Sequence, residues 1–287
     1  MKKRFSFLFL IILISTFFVQ GCNLFSFPNT NTRNVDPNKM ITHYIDVGQG
    51  DSIFIQVNNK NLLIDSGPKS DKNKLLDYLD SLTISKIDYV IATHPHEDHI
   101  GNMATLIKKY DISAFYAPKV ESSTKAFESM VEALKSKKLK INIIKSGLDS
   151  IDLGDNTRVT VFSPSKDSYD NLNNYSPVIK IEYGDTSFLF TGDAEKEIEK
   201  EILSNNEDIK SDILKVGHHG SSTSTSDEFL NAINPSIAVI SVGEDNTYDH
   251  PTNSTLSRLN ENKVKIYRTD QQGTIIFSSD GHNISQE

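Results

Sequence analysis

Six consecutive residues, His94-Pro95-His96-Glu97-Asp98-His99, carry three imidazoles and two carboxylates. Imidazole nitrogen and carboxylate oxygen together suit a borderline divalent cation such as zinc. The apolar run Ile87–Ala92 ends one residue earlier and reads as a buried strand. The His-Pro step then pushes the chain into extended backbone and breaks regular structure. The histidines are therefore expected on a loop at a strand end. In an extended loop His94 and His96 can converge on one ion while Asp98 and His99 reach a second. The pattern predicts a metal site.

Three later groups also follow apolar runs or precede a helix. Thr191-Gly192-Asp193 comes after the strand Ser187–Phe190, and the glycine permits a tight turn that aims Asp193 outward, where its two oxygens could bridge two metals. Alone, such a turn would read as a helix N-cap, because Ala194-Glu195 opens a helical pattern; the histidine cluster upstream favours the metal reading. Gly217-His218-His219-Gly220-Ser221 follows the strand Asp212–Val216, and paired histidines between glycines do not read as core packing. Asp249-His250-Pro251 precedes a helix and makes His250 a weaker candidate. His43, in a strand, and His282, in the tail, read as structural.

These residues need a scaffold, and the hydrophobic pattern supplies one. Thr42–Asp46, Ser52–Val57 and Asn61–Asp65 read as a three-stranded meander, and Leu75, Leu76, Leu79 and Leu82 as a helix over Asp71–Leu82. Strand Ile87–Ala92, helix Gly101–Lys109, a helix striped by Phe127, Met130, Val131 and Leu134, and strand Lys140–Ile144 follow. Turn residues gather at Ser146–Asp155 and the pattern restarts: strands Arg158–Phe162, Val178–Tyr183 and Ser187–Phe190, helix Glu195–Leu203, and strands Asp212–Val216 and Ile237–Val242. Helix Asn253–Asn260 and strands Lys263–Tyr267 and Thr274–Phe277 close the chain. A strand-rich opening followed by strand–helix alternation, occurring twice, predicts an α/β fold with two helix-covered sheets, an αβ/βα four-layer sandwich. No internal sequence repeat and no second independent domain is visible.

The N-terminus is a separate matter. Lys2, Lys3 and Arg4 precede the apolar stretch Phe5–Val19, which is short for a membrane span and ends in Val19-Gln20-Gly21-Cys22. Cys22 is the sole cysteine, and its setting resembles the lipobox of bacterial lipoproteins. Residues 1–21 are therefore expected to be a signal peptide, Cys22 the lipidation site, residues 22–39 a flexible tether rich in Asn, Thr and Pro, and residues 40–287 the metallo-hydrolase domain. Such a protein would sit at the cell membrane, lipid-anchored on its extracytoplasmic face. A lone cysteine excludes an intramolecular disulfide framework and a Cys-based metal cage. Loss of the leader removes three basic residues and takes the formal charge from −8 to −11, so no global field draws in polyanions.

The ensemble of motifs resembles the metallo-β-lactamase fold superfamily. DVGQGDS at 46–52, HPHEDHIGN, NNYSPV, FLFTGDAE, LKVGHHGSSTSTS, VISVG, YDHP and YRTDQQG, in that order over residues 41–277, are more closely similar to the extracellular hydrolase domain of ComEC competence proteins. The membrane channel segments of ComEC have no counterpart in this chain. The resemblance implies a stand-alone, lipid-anchored version of that domain, binding two divalent ions, zinc or alternatively manganese. It places His94 and His96 on the first ion, Asp98 and His99 on the second, Asp193 as the bridge and His219 completing the second site. His218 would then contact substrate, and Asp98 would orient the attacking water. Asp65 matches the superfamily's structural aspartate behind the histidine loop. Asp46 and Asp51 are near-site candidates.

One departure stands out. Many superfamily members carry another histidine ligand between the first motif and the bridging aspartate, yet no histidine lies between His99 and His218. The segment Asn173-Asn174-Tyr175-Ser176 occupies the interval, and Asn174 or Ser176 would be a weaker donor than imidazole, which loosens zinc selectivity. The implied reaction is metal-assisted hydrolysis of a phosphodiester, DNA included. The rival expectations are a small-molecule esterase or lactonase, an esterase of phosphorylcholine-type groups, and a binding module without turnover. Six of the eight histidines fall in motif positions, which speaks against the last. No protein partner is implied.

Overall fold

The computed structural model describes residue 36 and residues 38–287; the leader, Cys22 and most of the expected tether lie outside the described residues. Strands β1 (Met40–Tyr44), β2 (Ile53–Val57) and β3 (Lys60–Ile64) form an antiparallel meander. Onto it β4 (Lys86–Ile91), β5 (Asp111–Ala117) and β6 (Ile141–Ile143) are added in parallel, each reached through helix. The second sheet repeats the plan. There β7 (Thr157–Val161), β8 (Ile179–Tyr183) and β9 (Thr186–Phe190) are antiparallel, and β10 (Ile213–Lys215), β11 (Ile237–Ile240) and β12 (Lys265–Arg268) follow in parallel. Finally β13 (Ile275–Ser279) returns to the first sheet beside β1, with β14 (Ile284–Gln286) at its edge.

Side-chain alternation explains the layering. Along β2, Ile53, Ile55 and Val57 pack between the two sheets, and Phe54 points to the helices on the outer face. The inter-sheet layer also takes Tyr44, Ile64 and Ile91 from one sheet and Phe188, Phe190 and Ile213 from the other. Helices Lys72–Ser81, Met103–Lys109 and Lys125–Lys137 cover the first sheet through Leu75, Leu79, Leu106 and Leu134. Helices Lys196–Ser204, Asp227–Ile233 and Asn253–Glu261 cover the second through Ile198, Ile202, Phe229 and Leu259. The fold is thus the αβ/βα sandwich that the sequence pattern predicts. The described residues fall in one compact unit, and none of their helices is long and apolar enough to cross a membrane.

Apart from single helical turns, the pattern misses three elements. Strand β5 has no glycine or proline between it and the preceding helix, so nothing in the sequence marks the start of a new element after Lys109. Helix Asp227–Ile233 hides behind a Ser/Thr run, although Ser226 caps it by accepting from Phe229 N. β14 is short and at a sheet edge, with two of its three residues exposed.

Candidate metal centre

Ligands of open α/β sheets gather outside the carboxyl ends of the strands, and the loops after β3, β4, β9 and β10 meet there. The loop after β4 differs from the extended run that the sequence suggests. His96 is its last extended residue (φ −82°, ψ 150°) and caps a helical turn, Glu97–Ile100, so Asp98 and His99 stand on that turn. The helix expected over Gly101–Lys109 starts two residues later, at Met103, and this turn precedes it. The turn at residues 48–51 packs directly on the motif: a Cβ on Gly50 would collide with Asp98 O, and Asp51 N donates to that carbonyl at 3.2 Å.

One donor atom each from Asp98, His99, Asp193 and His219 lies within 4.8 Å of the others. His99 Nε2 is 3.2 Å from Asp193 Oδ2 and 3.8 Å from Asp98 Oδ2. His219 Nε2 is 3.4 Å from Asp98 Oδ2 and 3.6 Å from Asp193 Oδ1. Beside this group, His94 Nε2 is 2.9 Å from His96 Nδ1 and 3.8 Å from Asp193 Oδ2. The six residues expected to hold metal thus face one another around the Asp193 carboxylate.

The donor set fits a cation. His99 Nε2, Asp193 Oδ1 and His219 Nε2 are buried and have no hydrogen-bond partner, an arrangement that costs free energy unless a bound group satisfies them. The opposite ring nitrogens are occupied, His99 Nδ1 by Asp65 at 2.8 Å and His219 Nδ1 by Ser241 O at 2.9 Å. Each imidazole is therefore held with Nε2 toward the shared space. Asp65 also accepts from Thr93 N at 2.8 Å and Thr93 Oγ1 at 2.6 Å, so one carboxylate fixes both ends of the histidine loop. A second cluster, Asp51, Asp65 and His99, is already used internally: Asp51 pairs with Lys215 at 2.8 Å, and Asp65 holds His99.

The electrostatics are those of a site built for positive charge. Burial works against ionised Asp193, but His99, His219 and His94 outweigh it and hold the carboxyl well below the usual range. Burial likewise opposes ionised Asp98, and His99 and His219 bring its pKa down. His99 is pushed the other way: Asp193, Asp98 and Asp65 overcome its burial and raise it well above the usual imidazole range. Burial and the neighbouring His99 keep His94 neutral. A metal would replace the protons that these imidazoles carry.

The remaining candidates divide. Ser176 Oγ is 3.3 Å from His94 Nδ1 and accepts from Asp193 N at 3.2 Å, which ties two members of the site together. Gly192 (φ 49°) allows that closeness, since a Cβ there would meet Ser176 at 3.1 Å. Asn174 is corrected: its Nδ2 donates to Glu197 at 2.9 Å and its Oδ1 accepts from Glu195 N at 3.1 Å, so it is spent on the helix start. Its neighbour Asn173 faces the cleft instead, with Oδ1 unpartnered. Asp46 holds its own turn through Gly48 N at 3.0 Å and lies 3.8 Å from Lys74, outside the cleft lining. His218, partly exposed, places Nε2 3.6 Å from Asp193 Oδ2 and Nδ1 3.4 Å from Glu195. His250 meets His218 edge-on. His43 is buried against Phe54 and Tyr78, and His282 pairs with Asp185 at the surface.

Over the cluster opens a cleft of about 370 Å³, floored by Asp98, Asp193 and His219 and walled by Gln49, Asn173 and Tyr248 among others. Among the described residues no lysine or arginine lines it. Sequence reasoning did not single out Gln49, Glu97, Asn173 or Tyr248, although each lies within or beside a recognised motif. It also missed Lys215, whose signal was a lysine in an otherwise apolar strand.

Residues 45–244, from the end of β1 to beyond β11, match the family described as "Metallo-beta-lactamase superfamily". The chain belongs to the metallo-beta-lactamase superfamily. ComE operon protein 3 of Bacillus subtilis (strain 168) is 35% identical over 251 residues, 81% of this chain and 32% of that protein. Competence protein ComA of Neisseria gonorrhoeae is 28% identical over 234 residues, 81% of this chain and 31% of that protein. The chain thus spans about a third of the length of these curated relatives. Among solved structures, the metallo-beta-lactamase fold protein YhfI from Bacillus subtilis superposes with a TM-score of 0.57 at 12% identity, covering 84% of this chain and 100% of that one. This family and this donor set together support a metal-dependent hydrolase.

Proposed function

We propose that the chain is a binuclear phosphodiesterase that acts on nucleic acid outside the cell membrane, to which a lipidated Cys22 tethers it. The observation that carries the reading is the convergence of Asp98, His99, Asp193 and His219 beside His94 and His96. His94, His96 and Asp193 would hold one divalent ion; Asp98, His99, His219 and the other side of Asp193 would hold the second, with zinc or manganese as the natural choices. When bound, such ions supply Lewis acidity and an ionised water at neutral pH. Asp98, partly open to the cleft, aligns the attacking water. His218 stands at the edge with its Nε2 beside Asp193 and contacts the phosphate. Asp65, Ser176 and Ser241 O hold the imidazoles in place before substrate arrives. Kinship with competence proteins and the ComEC-like motifs support a nucleic-acid substrate over a small ester.

The test is a metal-reconstituted screen with a single-stranded oligonucleotide, bis-p-nitrophenyl phosphate and a lactone side by side. Cleavage of the first two supports the reading; turnover of the lactone alone would overturn it. Elemental analysis under zinc or manganese saturation should find two ions per chain.

A further inference from the structure

Tyr248 stands at the mouth of the cleft with 64% of its surface exposed. Its ring stacks on His250, with centroids 5.7 Å apart and planes 26° from parallel. His250 meets His218 edge-on at 5.5 Å, and His218 reaches Asp193. A ladder of rings thus leads from solvent to the carboxylate at the centre.

The loop that presents this ladder is fastened by one side chain. Asn246 Oδ1 accepts from Tyr248 N at 3.2 Å and His250 N at 3.0 Å, and its Nδ2 donates to Gly243 O at 3.0 Å and His250 O at 2.6 Å. Gly243 N in turn donates to Gln49 Oε1 at 3.1 Å, across the cleft in the turn before β2. The outer face of Tyr248 is therefore held open to water by a fixed backbone.

The charge of the cleft says what that face is for. Glu97, Asp98 and Asp193 line it, and no lysine or arginine does among the described residues. The flanking part of a polyanionic substrate therefore finds no protein cation there and must be held by neutral contacts. Stacking on an aromatic ring is such a contact, and it accepts any base because every base has a π-face.

We infer that Tyr248, backed by His250, is a stacking subsite for a nucleobase flanking the scissile phosphodiester of single-stranded nucleic acid. The inference rests on the phosphodiesterase reading and deepens it. The experiment uses the metal-loaded protein and two labelled phosphorothioate strands that resist cleavage, oligodeoxyadenylate and an abasic strand of equal length, with binding read by anisotropy. Wild type should favour the base-bearing strand. Tyr248→Ala should weaken binding of that strand about five- to a hundredfold and leave the abasic strand unchanged. Tyr248→Phe and Tyr248→Trp should bind as wild type, and metal content should not change. The salt dependence should be the same in Tyr248→Ala as in wild type, since no phosphate contact is lost. Equal wild-type affinity for the two strands, equal loss on both in Tyr248→Ala, or a Phe variant as weak as Ala would each overturn the inference. The two readings fail separately. If an unmodified strand is not cleaved while base-dependent binding persists, the phosphodiesterase reading falls and Tyr248 is left as a base-stacking site only; cleavage without base preference keeps the phosphodiesterase and overturns the subsite.

Discussion

Lys215 and Asp51 pair at 2.8 Å with side chains 0% and 2% exposed, and they join β10 of one sheet to the turn before β2 of the other. Lys215→Met keeps most of the side-chain volume and removes the charge, leaving the buried Asp51 carboxyl without its lysine partner. Breaking a buried pair in this way costs about 3–5 kcal/mol. At about 2–4 °C per kcal/mol for a domain of this size, Tm should fall by about 6–20 °C. Asp51→Asn strands the ammonium instead, although Lys215 Nζ keeps its bond to Val216 O at 2.9 Å, so its loss should be somewhat smaller. The double variant removes both charges and should recover about 2 kcal/mol or more of the summed single losses, the sign of direct coupling. Urea denaturation of the four proteins with chelator present measures the cycle free of any metal contribution. Additivity within about 0.5 kcal/mol would show that the pair does not act as a pair.

Asp65→Asn keeps the shape behind His99 but disturbs the hydrogen bond that orients it, and should weaken divalent metal binding by about 10–100-fold in a chelator competition titration; wild-type affinity would refute the orienting role. Asp98→Ala and Asp193→Ala should each abolish phosphodiester cleavage, while His282→Ala, at the surface pair with Asp185, should turn over as wild type. Burial, together with His218 and His219, lowers the His250 pKa from 6.5 to about 4 in the folded chain. The folded state then binds fewer protons than the unfolded state, so the contribution of His250 to stability is complete above 6.5 and is lost as pH falls toward 4. His250→Gln should flatten the acid limb of Tm against pH in chelated protein, and identical limbs would count against it. Finally, intact mass analysis of the membrane fraction should find an acylated Cys22 as the first residue, and Cys22→Ser should release a folded domain.

Much of this was legible because the physics is local. The two sheets announce themselves through apolar runs such as Ser187–Phe190, and the donors follow those runs at short, regular offsets. What was not legible depends on contacts distant in sequence. Asn173 and Asn174 are chemically identical, and only the approach of Glu195 and Glu197 decides which is spent on the helix and which faces the cleft. His96 and His99 look alike in the sequence, but the chain turns helical between them, so that His99 points at Asp193 from a different direction. Lys215 fits no apolar pattern, and its partner lies in the other half of the chain.

The repeated sheet plan makes the two halves near-equivalents, and their correspondence reaches into the centre. The third strand of each half is followed by an aspartate, Asp65 after β3 and Asp193 after β9; the fourth is followed at its third residue by a histidine, His94 after β4 and His218 after β10. Two equal halves would offer two equal pockets, each with its own carboxylate. The balance is broken at the aspartates. Asp65 comes directly after its strand in left-handed backbone (φ 60°) and turns back to grip His99, whereas Asp193 is carried two residues further by Gly192 and projects into the shared space. One copy has become a brace and the other a hinge pin common to both sides. A tandem architecture of this kind gathers donors from both halves around one carboxylate only by giving up its own symmetry.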